Sequence, residues 1–303
     1  LTEDATAADA APTCYRHPGR ETYVRCTRCD RPICPDCMTE AAVGFQCPEC
    51  VREGNKTVRG ARTVFGGRVA ADAYVTKVLI ALNVILFVGQ QASDGVTNRL
   101  VMSNYDIWNS GEYYRMLSSA FLHDPTFILH IAFNMYALYM FGSQVERLVG
   151  GVRYLTLYLV AALGGSVATY LFFSPYGSSL GASGAVFGLF GAFFVFARRM
   201  RADTSQLVFL IGLNLFIGYI GRGYINNYAH VGGLLTGGLV ALIYTRVPRG
   251  RWQAALQLGG AAVVTLALVV TTVVRTNDLR QHPPALRSES SAVSTSGTGV
   301  PSR

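Results

Sequence analysis

Gly181-Ala182-Ser183-Gly184-Ala185-Val186-Phe187-Gly188 opens a long apolar segment and sets one hydroxyl among small residues. Alone, a Gly-x-Ser-Gly motif is weak; its plainer reading is a glycine-rich helix start that lets neighbours pack closely. Two further places change the weighting. His130 and Asn134 stand four apart near the start of another apolar segment. His230 stands near the start of a third, in Ala229-His230-Val231-Gly232-Gly233. Strongly polar groups inside membrane-length helices are costly and by default mark function. The expectation is a serine hydrolase within the membrane, built around Ser183 and His230.

Composition agrees. The chain has 303 residues, 50% hydrophobic and only 15% charged, with a mean hydropathy of +0.30. That fits a polytopic membrane protein better than a soluble domain. The net charge of +8 could suggest nucleic acid. However, the basic residues sit mainly at the ends of apolar segments and in the N-terminal region, so no nucleic-acid partner is expected. The first apolar run begins near Tyr74, and no signal peptide is visible before it.

Seven apolar segments follow, at roughly 74–90, 126–145, 153–173, 181–197, 206–221, 227–245 and 254–274. Several are slightly short of the roughly 20 residues that cross a bilayer. The basic linker, Arg147 with Arg153, Arg198 with Arg199 and Arg201, and Arg246 with Arg249 and Arg251 occupy alternate loops. The other loops are poor in charge, with Arg222 alone near 221–228. The N-terminus is therefore expected in the cytoplasm and the C-terminus outside. The second, fourth and sixth spans then all enter from outside, which sets His130 with Asn134, Ser183 and His230 at one depth. A nucleophile, a base and hydrogen-bond donors at one level suit acyl transfer. Gly184 with Gly188, and Ala229 with Gly233 and Gly237, form small-residue stripes that would let the fourth and sixth spans approach. The loop from Gln91 to Pro125, with its aromatic residues, is expected at the membrane interface, and His123 with it. Asn83 reads as structural, and the fifth span, with Asn214, carries no chemical role.

All seven cysteines lie between Cys14 and Cys50, which argues for metal over a disulfide framework. Cys14-x2-His17 is followed after eight residues by Cys26-x2-Cys29, after four by Cys34-x2-Cys37, and after nine by Cys47-x2-Cys50. A two-residue gap lets both side chains reach one tetrahedral ion. Eight ligands make two closed sites, structural rather than catalytic. Spacing leaves interleaved and sequential pairing both open. Residues 51–73 read as a basic juxtamembrane linker suited to an anionic leaflet.

The N-terminal pattern resembles B-box-like cross-braced zinc modules. That resemblance implies one structural zinc ion on Cys14, His17, Cys34 and Cys37 and another on Cys26, Cys29, Cys47 and Cys50. The membrane part resembles rhomboid intramembrane serine proteases over about 74–245. Gly181-Ala182-Ser183-Gly184, Ala229-His230-Val231-Gly232-Gly233 with Gly237, and His130-x3-Asn134 carry the resemblance. Gly111-Glu112-Tyr113-Tyr114-Arg115, Phe121-Leu122-His123 and Gln144-Val145-Glu146-Arg147 add to it.

The rhomboid resemblance implies an all-α polytopic fold with a six-helix core and a seventh C-terminal helix. It implies Ser183 as nucleophile and His230 as base and then acid. His130, Asn134 and the Ser183 backbone N–H would stabilise the oxyanion. No Asp stands ready to orient His230, so a dyad without catalytic cofactor is implied. Phe187 stands where relatives often have a tyrosine, and its ring would pack on His230. The pair Tyr114-Arg115 stands for a Trp-Arg pair, conservative in interfacial character.

The expected order is a disordered N-terminus (1–13), zinc module (14–50), linker (51–73), rhomboid core (74–245), extra transmembrane helix (246–275) and disordered tail (276–303). The expected setting is the cell membrane, with transmembrane-protein substrates, the lipid bilayer and a cytoplasmic partner of the zinc module. One rival is a helix-binding pseudoprotease, against which both Ser183 and His230 are present. The other is a transporter, which would carry inverted repeats or broken midplane helices; the sequence has no such repeat.

Overall fold

The computed structural model describes residues 11–57, 62–69, 72–221 and 225–285. The expected disorder at residues 1–10 and 286–303, Arg59 of the linker and Arg222 all lie outside these. The chain divides into two compact units, Leu1–Ala61 and Arg62–Arg303.

The first unit has almost no conventional core. Strand β1 (Thr13–Cys14) pairs with β2 (His17–Glu21), and β3 (Thr39–Glu40) with β4 (Phe45–Gln46); helix α1 (Pro48–Thr57) follows. Six of its cysteines and Ile33 form the buried centre. A unit whose interior is mostly thiol depends on what those thiols bind.

The second unit begins with α2 (Tyr74–Ala92). Three short helices, α3 (Asp94–Leu100), α4 (Asn104–Ser110) and α5 (Arg115–Ser118), fill the long first loop, with strand β5 (Met102–Ser103) among them. The second span is α6 (Ile128–Ala137), one π-helical turn (Leu138–Gly142) and α7 (Ser143–Val149). Then come α8 (Gly151–Phe172), strand β6 (Ser178–Ser179) paired with β5, α9 (Ser183–Arg199), α10 (Ser205–Ile220), α11 (Asn227–Arg246) and α12 (Gln253–Gln281). Among the described residues, four helices (α2, α8, α11 and α12) are long and apolar enough to cross a membrane. Their outer faces carry Ile85, Val88, Leu235, Val263 and Leu266, each at least 60% exposed. An apolar surface of this extent suits lipid, and the chain is a multi-pass membrane protein.

Helices α8, α9 and α11 form the packed centre, and glycine makes it possible. A Cβ on Gly233 would lie 1.9 Å from the Gly184 carbonyl oxygen, and one on Gly237 2.2 Å from that of Gly188. On the other side, a Cβ on Gly164 would meet Thr236 Oγ1 at 2.1 Å. By contrast α10 buries only Leu207 and Gly218. The start of α2 is held from across the bundle. Buried Glu146 accepts from the N–H groups of Val75 (3.0 Å) and Thr76 (2.9 Å) and from Thr76 Oγ1 (2.8 Å). Those N–H groups have no partner within their own helix, and a carboxylate at a helix N-terminus also opposes the helix dipole.

Several expectations need correction. The first loop packs onto the helices: Trp108, Met102, Ile107 and Met116 pack with Val167, Tyr170 and Leu279. Arg115 is 7% exposed. It donates to the carbonyls of Asn98 (2.8 Å) and Val101 (3.0 Å) and pairs with Glu112, so it is the loop's internal tie. His123 is fully buried. Within the range read as linker, α1 runs to Thr57 and Phe65 stacks on Phe196 with ring centroids 4.7 Å apart. Helix α12 continues past 275 to Gln281 because Thr276 and Leu279 still face protein; Tyr170 Oη lies 2.9 Å from Thr276 Oγ1.

The packing predicts opposite outcomes at neighbouring glycines. A methyl group on Gly238 would meet only ordinary contact, 3.7 Å from the Gly191 oxygen. Gly237→Ala should cost about 1–3 kcal/mol of overpacking and lower the thermal unfolding temperature in detergent, while Gly238→Ala leaves it near the parent value.

Candidate active site

Ser183, His230 and His130 each sit in the first turn of a helix, with Asn134 one turn after His130. Ser183 is the first residue of α9, so its backbone N–H has no partner within the helix and lies at the positive end of the helix dipole. His230 lies one turn into α11, whose start is capped by Asn226 Oδ1 accepting from Tyr228 N–H and, more loosely, Ala229 N–H. The Asn226 amide also donates to Thr169 and Ser179, which ties α11 to α8 and to the loop before Ser183. That loop is held in turn by the β5–β6 pair and by Gly181 N–H donating to the Ser119 carbonyl at 3.0 Å.

The close approach of α9 and α11 brings Ser183 Oγ to 2.9 Å from His230 Nε2. The Phe187 ring lies flat on the imidazole, with centroids 4.2 Å apart and planes within 1°. The other ring nitrogen, Nδ1, faces Asn227 Oδ1 at 3.3 Å. The Asn227 amide is oriented by its own Nδ2, which donates to the Leu215 carbonyl of α10 at 2.9 Å. With Oδ1 pointing at the ring, Nδ1 carries the proton and Nε2 is left to accept from the serine. Asn227 was not foreseen. Its signal was its spacing, three residues before His230 and hence on the same helical face.

His130 is part-buried, and its Nδ1 accepts from Asp124 N–H at 3.2 Å, which leaves the proton on Nε2. That nitrogen borders a small gap beside Gly181. A Cβ on Gly181 would lie 3.2 Å from His130 Nε2 and 3.5 Å from Ser183 Oγ, and the residue has φ +135°. Glycine therefore keeps open the space between a donor and the hydroxyl. Asn134 is buried, and its Nδ2 donates to the His130 carbonyl at 2.8 Å, leaving one amide hydrogen. His123 packs edge-on against His130, centroids 5.1 Å apart.

A family model described as the Rhomboid domain matches residues 110–247, a range that contains all of these side chains. The chain carries a rhomboid domain. It is 34% identical over 203 residues to Rhomboid protease GluP of Bacillus subtilis (strain 168), covering 64% of this chain and 39% of GluP. It is 34% identical over 150 residues to RHOMBOID-like protein 6, mitochondrial, of Arabidopsis thaliana, 47% of each chain. YdcA of B. subtilis is 26% identical over 186 residues, which cover 59% of this chain and 92% of YdcA. The chain thus spans less than half the length of the first two relatives.

Away from the rhomboid domain, the first unit holds two clusters, Cys14, His17, Cys34 and Cys37, and Cys26, Cys29, Cys47 and Cys50. Within each, the ligand atoms lie within 4.8 Å of one another. This is the interleaved arrangement. Cys29 Sγ and Cys47 Sγ are 3.7 Å apart, the edge of a tetrahedron with metal–sulfur bonds of about 2.3 Å. Burial raises the Cys14 thiol, but surrounding backbone N–H groups outweigh it and hold it down at about 6. Cys37 is pushed up to about 11 by burial and by its thiol neighbours Cys14 and Cys34. Neighbouring sulfurs cannot all ionise without a cation between them, and a divalent metal would supply it. Elemental analysis of the purified chain should find two zinc ions. Cys37→Ser and Cys50→Ser should each retain about one, in line with one closed site apiece.

Proposed function

We propose that this protein is an intramembrane serine endopeptidase that cleaves transmembrane segments of other membrane proteins. The observation that carries the reading is the 2.9 Å contact between Ser183 Oγ and His230 Nε2, beside a gap bordered by His130 Nε2. As Ser183 Oγ attacks a substrate carbonyl carbon, its proton passes to His230 Nε2. The carbonyl oxygen takes up the negative charge and is met by the Ser183 N–H, His130 Nε2–H and the remaining Asn134 amide hydrogen. His230 then gives its proton to the leaving amine as the peptide bond breaks. Water repeats the sequence on the acyl-serine and restores both residues. Phe187 holds the imidazole plane. Asn227 is the positioning residue, keeping the Nδ1–H tautomer; being neutral, it supplies less stabilisation of the imidazolium than a carboxylate would.

The membrane arrangement follows the basic loops: N-terminus in the cytoplasm, C-terminus outside, in the cell membrane. The dyad then lies just inside the outer face, where water reaches it and a substrate helix arrives from the side. Substrates with small or helix-breaking residues near that depth expose a carbonyl at lower cost. The first unit binds two structural zinc ions and serves as a cytoplasmic docking module.

A fluorophosphonate probe should label the parent in detergent and leave Ser183→Ala and His230→Ala unlabelled. Cleavage of a transmembrane substrate should vanish in both, and the double variant should be no worse than either, because the two act as a unit. A folded parent that neither labels nor cleaves would move the reading to helix binding without cutting. Asn227→Ala should lower kcat by about tenfold with little change in KM, the size of one net hydrogen bond. A pH–rate profile separates this from a folding defect, since losing the tautomer lock also displaces the profile.

A further inference from the structure

One cavity lies away from the dyad. It has a volume of about 710 Å³ and lies between the start of α2, the π turn with α7, and the far half of α9, toward the end of α9 opposite Ser183. That volume is within the range of about 300–1,000 Å³ typical of ligand sites. The π turn shapes one wall. There the Tyr139 carbonyl accepts from both the Ser143 N–H and Ser143 Oγ (2.6 Å), and the Met140 carbonyl accepts from Gln144 Nε2 (2.9 Å). π turns within α-helices recur at functional sites.

The lining is divided by chemistry. Lys77 and Arg147 are on the polar side, both exposed, and among the described residues neither has a carboxylate within 4 Å. Glu146, next to Arg147 in sequence, is committed to the start of α2 and is 1% exposed. Asp72 is the single acidic group of the lining, so the cavity keeps a cationic surplus. The other side is apolar, with Met140, Phe193 and Met200; Met140 is 39% and Met200 43% exposed. A small soluble anion has no use for that apolar wall, and a fatty chain alone has none for the two cations.

We propose that this cavity binds the phosphate group of an anionic membrane phospholipid, with Lys77 and Arg147 on the phosphate and the glycerol and upper acyl chains along Met140 and Phe193. The proposal rests on the membrane reading and not on the dyad, so it stands or falls apart from the protease reading. Two cations on one phosphate make charge-assisted bonds, stronger than neutral ones. A ligand that binds only the folded chain raises its unfolding temperature.

The test is thermal unfolding of the full chain in a nonionic detergent, with dioctanoyl phosphatidylglycerol, dioctanoyl phosphatidylcholine or inorganic phosphate added. Phosphatidylglycerol should raise the unfolding temperature by several degrees, and the other two should do little. Lys77→Ser combined with Arg147→Ser should remove the rise, while Lys77→Arg with Arg147→Lys keeps it. Both positions are exposed, and the unfolding temperature of each variant without additive checks its fold. An equal rise with phosphate alone would overturn the lipid as the source. An equal rise with phosphatidylcholine would overturn the requirement for net negative charge. A phosphatidylglycerol effect that survives in the serine variant would overturn the site.

Discussion

The structure depends on how closely two backbones can run. Helices α9 and α11 meet through Gly184, Gly188, Gly233 and Gly237, so closely that a methyl group on Gly233 or Gly237 would strike the α9 backbone. In lipid no hydrophobic effect drives helices together, so contact quality and polar links must do so. Close glycine contact supplies the first. It also fixes the rotation and depth of two helices whose first turns carry Ser183 and His230. The 2.9 Å contact between them is thus a result of packing along the whole helix pair.

Around that contact, each hydrogen bond determines the next. Leu215 orients the Asn227 amide, the amide sets the proton on His230 Nδ1, and Nε2 is left to accept from Ser183. A parallel chain runs from Asp124 N–H to His130 Nδ1, which sends that ring's proton toward Gly181. Two histidines in one apolar bundle thereby hold opposite tautomers, one an acceptor and one a donor toward the same gap. Their roles are set by partners on neighbouring loops and helices.

What was legible in the sequence was what is expensive to place in a membrane. Ser183, His130, Asn134 and His230 stand out because their surroundings are apolar, and the paired cysteines because nothing else explains them. Phe187 was legible from its position one turn after the serine. Features that depend on distant contacts were hidden. Asn227 sits beside Asn226 in what reads as a capping turn, and only its partner Leu215 reveals its orientation. His123 and Arg115 look interfacial by type, yet both side chains are buried. The π turn has no proline to announce it, and Gly142 alone does not specify one. Asp278 and Arg280 suggest that α12 ends early, but Arg280 Nε reaches the Trp108 carbonyl at 2.6 Å and the helix goes on.

The bond from Asn227 to Leu215 has a mechanical meaning. Leu215 belongs to α10, the span with the least of its surface held by protein. The amide that sets the imidazole therefore hangs from the wall most free to shift. The bond is 2.9 Å long, so a displacement of α10 by more than about half an ångström takes it out of hydrogen-bond range and releases the amide to rotate. The readiness of the base is in this way geared to the position of a helix that touches neither the serine nor the histidine through any hydrogen bond of its own.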